Sequence, residues 1–224
     1  MLETLHFIIK IIPYLAEGLV ITLQVTAVSF AVGFALAALL TPLRVFAPTP
    51  LSVLARGYIE AFRGTPLLVQ LLLIYFGLPS LGIKLDPLTA GFVALGLNSA
   101  AYQAEILRSS IKAIPESQYL SAESLGMSTL QIYRYVVLPQ AVRTAIPALV
   151  NEFVTLIKES SLVSIIGVVE LTRRGEYLVA YTFKALEVYV AVALLYFLVC
   201  ALASQTTRFL EKRLAIPGYT RGVM

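Results

Sequence analysis

Uncharged apolar runs long enough to cross a bilayer occupy most of this chain, and they restrict it to a membrane-embedded helical fold. Residues 18–43, 64–83 and 188–207 carry no Asp, Glu, Lys or Arg over 26, 20 and 20 positions, and roughly 20 residues suffice for a helix to traverse the hydrocarbon core. Residues 87–104 add a fourth run, with Arg108 and Lys112 placed to snorkel beyond its end. A fifth run, 136–157, contains Arg143 and Glu152 and is punctuated by Pro139 and Pro147. Ionisable groups at such depth face a cavity or a partner and not lipid. The expected fold is all-α, with about five transmembrane helices in a single domain spanning residues 1–224.

Composition excludes the common soluble classes. Charged residues make up 13% of the chain, half of the roughly 25% usual in soluble domains. The net charge of +4 does not point to nucleic acid, because the basic residues are scattered between apolar runs and form no continuous face. Cys200 is the only cysteine and His6 the only histidine, so no intrachain disulfide, Cys- or His-based metal site, or histidine general base is expected. A Gly-x-x-x-x-Gly-Lys-Ser/Thr phosphate loop is absent, so energy for any work must come from an ion gradient or a partner. Glu3, His6, Lys10 and Glu17 interrupt the first apolar stretch, which argues for a retained spanning helix over a cleaved leader.

Basic residues set the expected orientation. Eleven fall on one side of the five-span scheme (Arg44, Arg56, Arg63, Arg108, Lys112, Arg134, Arg143, Arg208, Lys212, Arg213, Arg221) and five on the other (Lys10, Lys84, Arg173, Arg174, Lys184). The richer side is cytoplasmic, which puts the C-terminus inside and the N-terminus outside. Within the long cytoplasmic connection, residues 115–132 repeat apolar side chains at helical spacing, with Pro115 suited to a helix start and Ser117 or Ser128 to capping. Apolar residues on a short cytosolic helix need a cover, supplied by the protein's own helix ends or by another chain. Residues 160–171 are too short to span and read as a re-entrant or interfacial helix.

Several blocks carry a family resemblance. Ile59-Glu60-Ala61-Phe62-Arg63-Gly64-Thr65-Pro66-Leu67-Leu68-Val69-Gln70 is followed by Tyr75-Phe76-Gly77-Leu78-Pro79, and later by Ala101-Tyr102-Gln103-Ala104-Glu105, Leu125-Gly126-Met127, Leu138-Pro139-Gln140-Ala141 and Lys158-Glu159-Ser160-Ser161-Leu162. In order and spacing, over roughly residues 55–175, they resemble the permease subunits of polar-amino-acid ATP-binding-cassette importers. The resemblance implies a type I importer transmembrane domain and a cytoplasmic coupling helix between spans three and four. It also implies several partners: two cytosolic ATPase subunits carrying ATP and Mg²⁺, a second permease subunit (identical or a close paralogue), and an extracytoplasmic amino-acid-binding protein. The chain itself would then be no enzyme. Tyr119, Leu120, Leu125, Gly126 and Met127 would contact the ATPase, although Leu120 stands where the family carries a glutamate.

For the substrate, the residues suggest a pocket of Leu67, Asn98, Glu152, Lys158 and Glu159. The helix break at Arg63-Gly64-Thr65-Pro66 either stops a helix beside a snorkelling arginine or lines a cavity with freed backbone groups. Asn98 serves either an interhelical bond or that cavity. Glu152 and Glu159, seven apart, share one face of a continuous helix. With Lys158 they either neutralise one another or meet a charged zwitterion, and the excess of carboxylates leans toward a cationic amino acid. A gradient-driven transporter or channel for small polar solutes is the competing reading. The topology makes a simple demand: a cysteine introduced near Lys84 should react with an impermeant thiol reagent from outside, and one near Gly218 should not. Equal outside labelling of the two positions rules out five spans.

Overall fold

The computed structural model describes residues 2–214; Gly218 and Arg221, and the side chains of Arg208, Lys212 and Arg213, lie outside the described residues. Helix α1 (Leu2–Val45) contains 44 residues and is therefore about 66 Å long, twice the hydrocarbon thickness. Its Leu, Ala and Val content suits an apolar helix. Thr22, Thr26 and Thr41 are tolerated inside it because each hydroxyl donates to the carbonyl four residues earlier, at 3.2, 2.8 and 2.8 Å.

Helix α2 (Thr49–Gly64) and helix α3 (Leu67–Leu72) follow. The span expected over 64–83 is corrected in its bounds: it is the second arm of a bent pair in which α2 and the segment Leu67–Leu81 meet at 105°, at the break marked by Arg63–Pro66. Thr65 is extended, with φ −122° and ψ 147°, as a residue before proline prefers. Beyond α3 the chain widens into a π-helical turn (Leu73–Gly77), tightens through a 3₁₀ turn (Leu78–Leu81) and reverses at Gly82 with φ 84°. Helix α4 (Pro87–Lys112) starts on Asp86, whose Oδ1 accepts from the Leu88 and Thr89 amides at 3.1 Å each.

Helices α1 and α4 run parallel, and this fixes the crossing count between them. Ser29 donates to the Phe92 carbonyl and Thr41 to the Ala104 carbonyl, each across a sequence offset of 63. That offset sets Pro87 level with Gln24. From Val45 back to that level the chain must climb about 31 Å, one bilayer thickness, and the bent α2–α3 pair makes the climb. Close approach of the two helices depends on glycine: a Cβ at Gly33 would stand 2.9 Å from Gln103 Nε2 and 3.1 Å from the Gly96 carbonyl.

The remaining helices are α5 (Glu116–Ser124), α6 (Thr129–Ile132), α7 (Leu138–Glu159), α8 (Leu171–Thr182) and α9 (Ala185–Leu214). By length and apolarity alone, α1 and α9 qualify as spans, and the α2–α3 pair qualifies as one bent span. Helices α4 and α7 are long enough, 26 and 22 residues, but carry polar groups inward, so composition alone undervalues them. Together these give the five crossings. Residues 160–171 form no separate interfacial helix. Ser160–Ile166 continues α7 as a 3₁₀ segment that buries Ser160, Val163, Ser164 and Ile166 and ends at Gly167, φ 95°. Val163 and Ile166 join Val25, Leu67, Leu71, Ala94, Leu95 and Leu156 in the central core, while Ile165 between them is exposed.

Gly33→Val should force α1 from α4 and cost about 1–3 kcal/mol, as overpacking does. The measurement is the thermal midpoint of the purified full-length chain, and an unchanged midpoint would contradict the close approach.

Candidate functional site

The break between α2 and α3 lies about 17 Å along α4 from its N-terminal end, because Asn98 beside it is eleven residues past Pro87. That is mid-bilayer depth. Ending a helix there strands carbonyls that lipid cannot satisfy. Gln70 answers this, its Nε2 lying 2.8 Å from the Phe62 carbonyl, 3.1 Å from the Thr65 carbonyl and 2.8 Å from Thr65 Oγ1. Buried Asn98 donates from Nδ2 to Gln70 Oε1 at 3.0 Å and to the Phe62 carbonyl at 3.3 Å. Asn98 thus clamps the break, and its amide hydrogens are committed to protein acceptors. Leu67, the first residue of α3, packs into the central core. Gln70, the centre of the clamp, was missed by sequence reasoning, although a glutamine four residues after Pro66 in an apolar run was a usable signal.

Glu152 shares that depth. Its Oε1 accepts from Ser99 Oγ at 2.8 Å, and Ser99 Oγ accepts from Gln103 Nε2 at 2.9 Å. Gln103 also reaches the Phe30 carbonyl at 3.2 Å, and its buried Oε1 has no partner. A polar relay therefore links α1, α4 and α7. Ser99 and Gln103 were not among the expected site residues; their spacing of four on one helix face was the available sign. Glu159 lies on the same continuous helix and is partly buried, while Lys158 is exposed. No ion pair joins Glu152, Lys158 and Glu159 among the described residues, so of the two alternatives direct pairing is not seen. The cause is helical phase. At about 100° per residue, positions 152 and 159 nearly coincide, whereas 158 is turned about 120° from 152.

The cytoplasmic segment 115–132 is two short helices. Gly126 turns between them at φ 78°, and Ser128 closes a capping box with Gln131, whose Oε1 accepts the Ser128 amide at 2.8 Å. Its apolar residues divide into two sets. Tyr119 and Met127 pack inward on Ile111, Ile114, Ile132 and Val137, and burial pushes the Tyr119 phenol up to about 12. Leu120, Leu125 and Leu130 point outward, 55%, 83% and 78% exposed. Of the residues expected to contact the ATPase, Tyr119 and Met127 are half-buried against the bundle, while Leu120 and Leu125 are exposed together with Leu130; only the tertiary fold distinguishes the two sets.

At the opposite end of the bundle from segment 115–132, buried Glu170 caps α8. Its Oε2 accepts from the Thr172 amide at 2.9 Å, Tyr196 at 2.8 Å and Thr22 at 3.3 Å, and its Oε1 accepts from the Arg173 amide at 2.8 Å. One carboxylate thereby ties α1, α8 and α9. Arg174 adds a 2.7 Å ion pair to Glu17 of α1.

A five-crossing helical domain with a mid-depth break, a polar relay beside it and an apolar cytoplasmic protrusion defines a membrane-integral permease domain. The chain belongs to the family described as binding-protein-dependent transport system inner membrane component, whose model matches residues 29–216. It is similar to the arginine transport system permease protein ArtQ of Bacillus subtilis, 39% identical over 91% of this chain and 93% of that one. It is likewise similar to the glutamine transport system permease protein GlnP of Escherichia coli, 39% identical over 92% and 94%. Among solved structures, an amino acid ABC transporter crystallised with histidines matches with a TM-score of 0.89 at 40% identity, covering 92% of this chain and 96% of that chain. The inward-facing MetNI methionine ABC transporter shares the fold, with a TM-score of 0.76 at 23% identity, covering 92% and 99%.

Asn98→Leu leaves Gln70 Oε1 and part of the break unpartnered, at a cost of about 1–3 kcal/mol for a buried polar group. The purified variant should melt earlier, and Gln70→Leu should not add its full effect in the double variant because the two residues share one network. Full additivity would dissolve the clamp.

Proposed function

We propose that this chain is the transmembrane subunit of an ATP-driven importer that carries polar amino acids, cationic ones in particular, by alternating access. The observation that carries the reading is a carboxylate held at mid-bilayer depth, Glu152, beside a helix break and at the head of the Ser99–Gln103 relay. An uncompensated carboxylate at that depth is costly, and a cationic substrate offsets the cost while it passes. The arginine and glutamine permeases among the relatives support an amino-acid cargo. Glu152 and Glu159 would line the path, with Leu67 and the Asn98 clamp forming its wall. Lys158 would meet the substrate carboxylate or balance the charge from the exposed face of α7.

The partners would be two cytosolic ATPase subunits that bind ATP and Mg²⁺, a second permease subunit and an extracytoplasmic binding protein. The N-terminus would lie outside and the C-terminus in the cytoplasm. ATP binding would draw the ATPases together and move the 115–132 segments seated in them through Leu120, Leu125 and Leu130, opening the helices outward. Hydrolysis would return the path inward. The outward leucines favour this over the gradient-driven alternative, which needs no cytosolic docking surface.

In proteoliposomes with the co-purified ATPase, Glu152→Gln should lower arginine or lysine uptake at least tenfold and leave complex assembly intact. Gly126→Asp should release the ATPase or uncouple hydrolysis from uptake. A Cβ there meets nothing within 4 Å in this chain, and aspartate tolerates the left-handed conformation, so the loss would report on the partner. Normal uptake by both variants, with no ATPase bound, would establish the gradient-driven reading instead.

A further inference from the structure

Arg63 closes α2 beside the break, and the transport path described so far gives it no task. Residues 63–66 are all exposed, although the break lies at mid-bilayer depth and irregular backbone there does not face lipid. This face therefore borders a hydrated cavity. The Arg63 guanidinium carbon stands 5.4 Å from the ring centroid of exposed Tyr102, and Arg63 makes no ion pair among the described residues. Arg56, Arg108, Arg173 and Arg174, by contrast, each hold a carboxylate, those of Glu60, Glu105, Glu176 and Glu17. Tyr102 is fifteen residues past Pro87, about 22 Å along α4, which leaves the cation about 8 Å short of the far side of a 30 Å hydrocarbon core. Snorkelling does not bring it to the boundary, and an unpaired guanidinium at that depth is costly unless water or a ligand meets it.

Helical phase puts this cation beside Glu152. With Asn98 as the origin on α4, Tyr102 is turned by about 40° and Ser99 by about 100°. Asn98 holds the break and Ser99 holds Glu152, so Tyr102 projects between them, one turn further along the helix. Ser99 and Tyr102, three residues apart, have Cβ atoms about 5–6 Å from one another. Glu105, a turn beyond Tyr102, is already engaged, accepting from Arg108 Nε at 2.8 Å. The cavity thus offers one unpaired cation and one carboxylate with spare acceptor capacity, about a helical turn apart. A basic amino acid carries the complementary pair, a carboxylate at one end of a short flexible chain and a cation at the other.

We propose that Arg63 determines specificity by binding the α-carboxylate of the transported amino acid, with Tyr102 as its platform, while Glu152 receives the cationic end. This rests on the transport reading above and adds to it a requirement for a free carboxylate. A guanidinium presents five N–H donors in a planar fork that matches a carboxylate bidentately, and stacking on an aromatic face leaves the edge of the fork free. Lys158, six residues beyond Glu152 on α7 and turned by about 120°, keeps the role of balancing charge. A decarboxylated amine has the same cationic end and gives Arg63 nothing to hold.

The probes are radiolabelled arginine and agmatine, which is arginine without its carboxylate, bound at equilibrium to the full-length chain with its co-purified ATPase and no binding protein. The unaltered complex should prefer arginine at least tenfold. Arg63→Gln should bring that preference below twofold by weakening arginine, and Arg63→Lys should restore part of it. Glu152→Gln should weaken both ligands and keep the preference. An unchanged preference in Arg63→Gln, or none in the unaltered complex, would overturn the carboxylate role, and weaker binding by Glu152→Gln in the same assay would show that the transport reading survives it. Equal weakening of both ligands by Arg63→Gln would make Arg63 a structural part of the break and overturn the proposal as well. An unaltered complex that binds neither ligand would remove the proposal together with the cationic-substrate reading beneath it. Where Arg63→Gln fails to assemble, Tyr102→Leu decides by the same ratio, because it keeps the guanidinium and removes its platform.

Discussion

A backbone carbonyl has no water to turn to inside a bilayer, and the rest of this structure is arranged around that constraint. The chain breaks a helix at mid-depth and must then satisfy what the break exposes. Gln70 and Asn98 do so from two different helices. Because the amide of Asn98 binds both the break and Gln70, the position of α4 depends on the angle of the α2–α3 pair. A permease needs irregular backbone to line a path and rigid helices to cross lipid, and this clamp lets one segment serve both needs.

The same economy governs the charges. Glu152 stays at depth because Ser99 donates to it and Gln103 supports Ser99. Glu170 stays buried because two backbone amides and two hydroxyls converge on it. The two carboxylates differ in kind. Glu170 has its acceptor capacity largely filled by protein and serves as a fixed joint between helices, whereas Glu152 accepts from a single side chain, Ser99, among the described residues, which leaves acceptor capacity for the cationic substrate we propose. Both halves of the molecule therefore join their helices through a buried carboxylate, one structural and one available.

How far the site was legible follows from the same physics. Residue identity and spacing placed Glu152 and Glu159 on one face of α7, because helical phase is a property of the chain alone. Lys158, adjacent to Glu159 in sequence, lies about 120° around α7 from Glu152 and is exposed. Asn98 stood out as polar in an apolar run, and so did Gln70, but that the two meet depends on α3 folding back on α4. The division of 115–132 into inward Tyr119 and Met127 and outward Leu120, Leu125 and Leu130 was likewise invisible, since both sets are apolar.

The amino-acid sequence by itself determined that this is an α-helical membrane protein, where the helix breaks and which segment protrudes, because hydrophobic length, proline and glycine act locally. Tertiary structure alone decided that the second crossing begins at Thr49 and bends by 105° at that break, that Ser160, Val163, Ser164 and Ile166 are buried, and which polar groups meet. Those outcomes depend on the parallel packing of α1 on α4 at an offset of 63 residues, a register set by complementary small residues on two distant helices and carried by neither stretch of sequence alone.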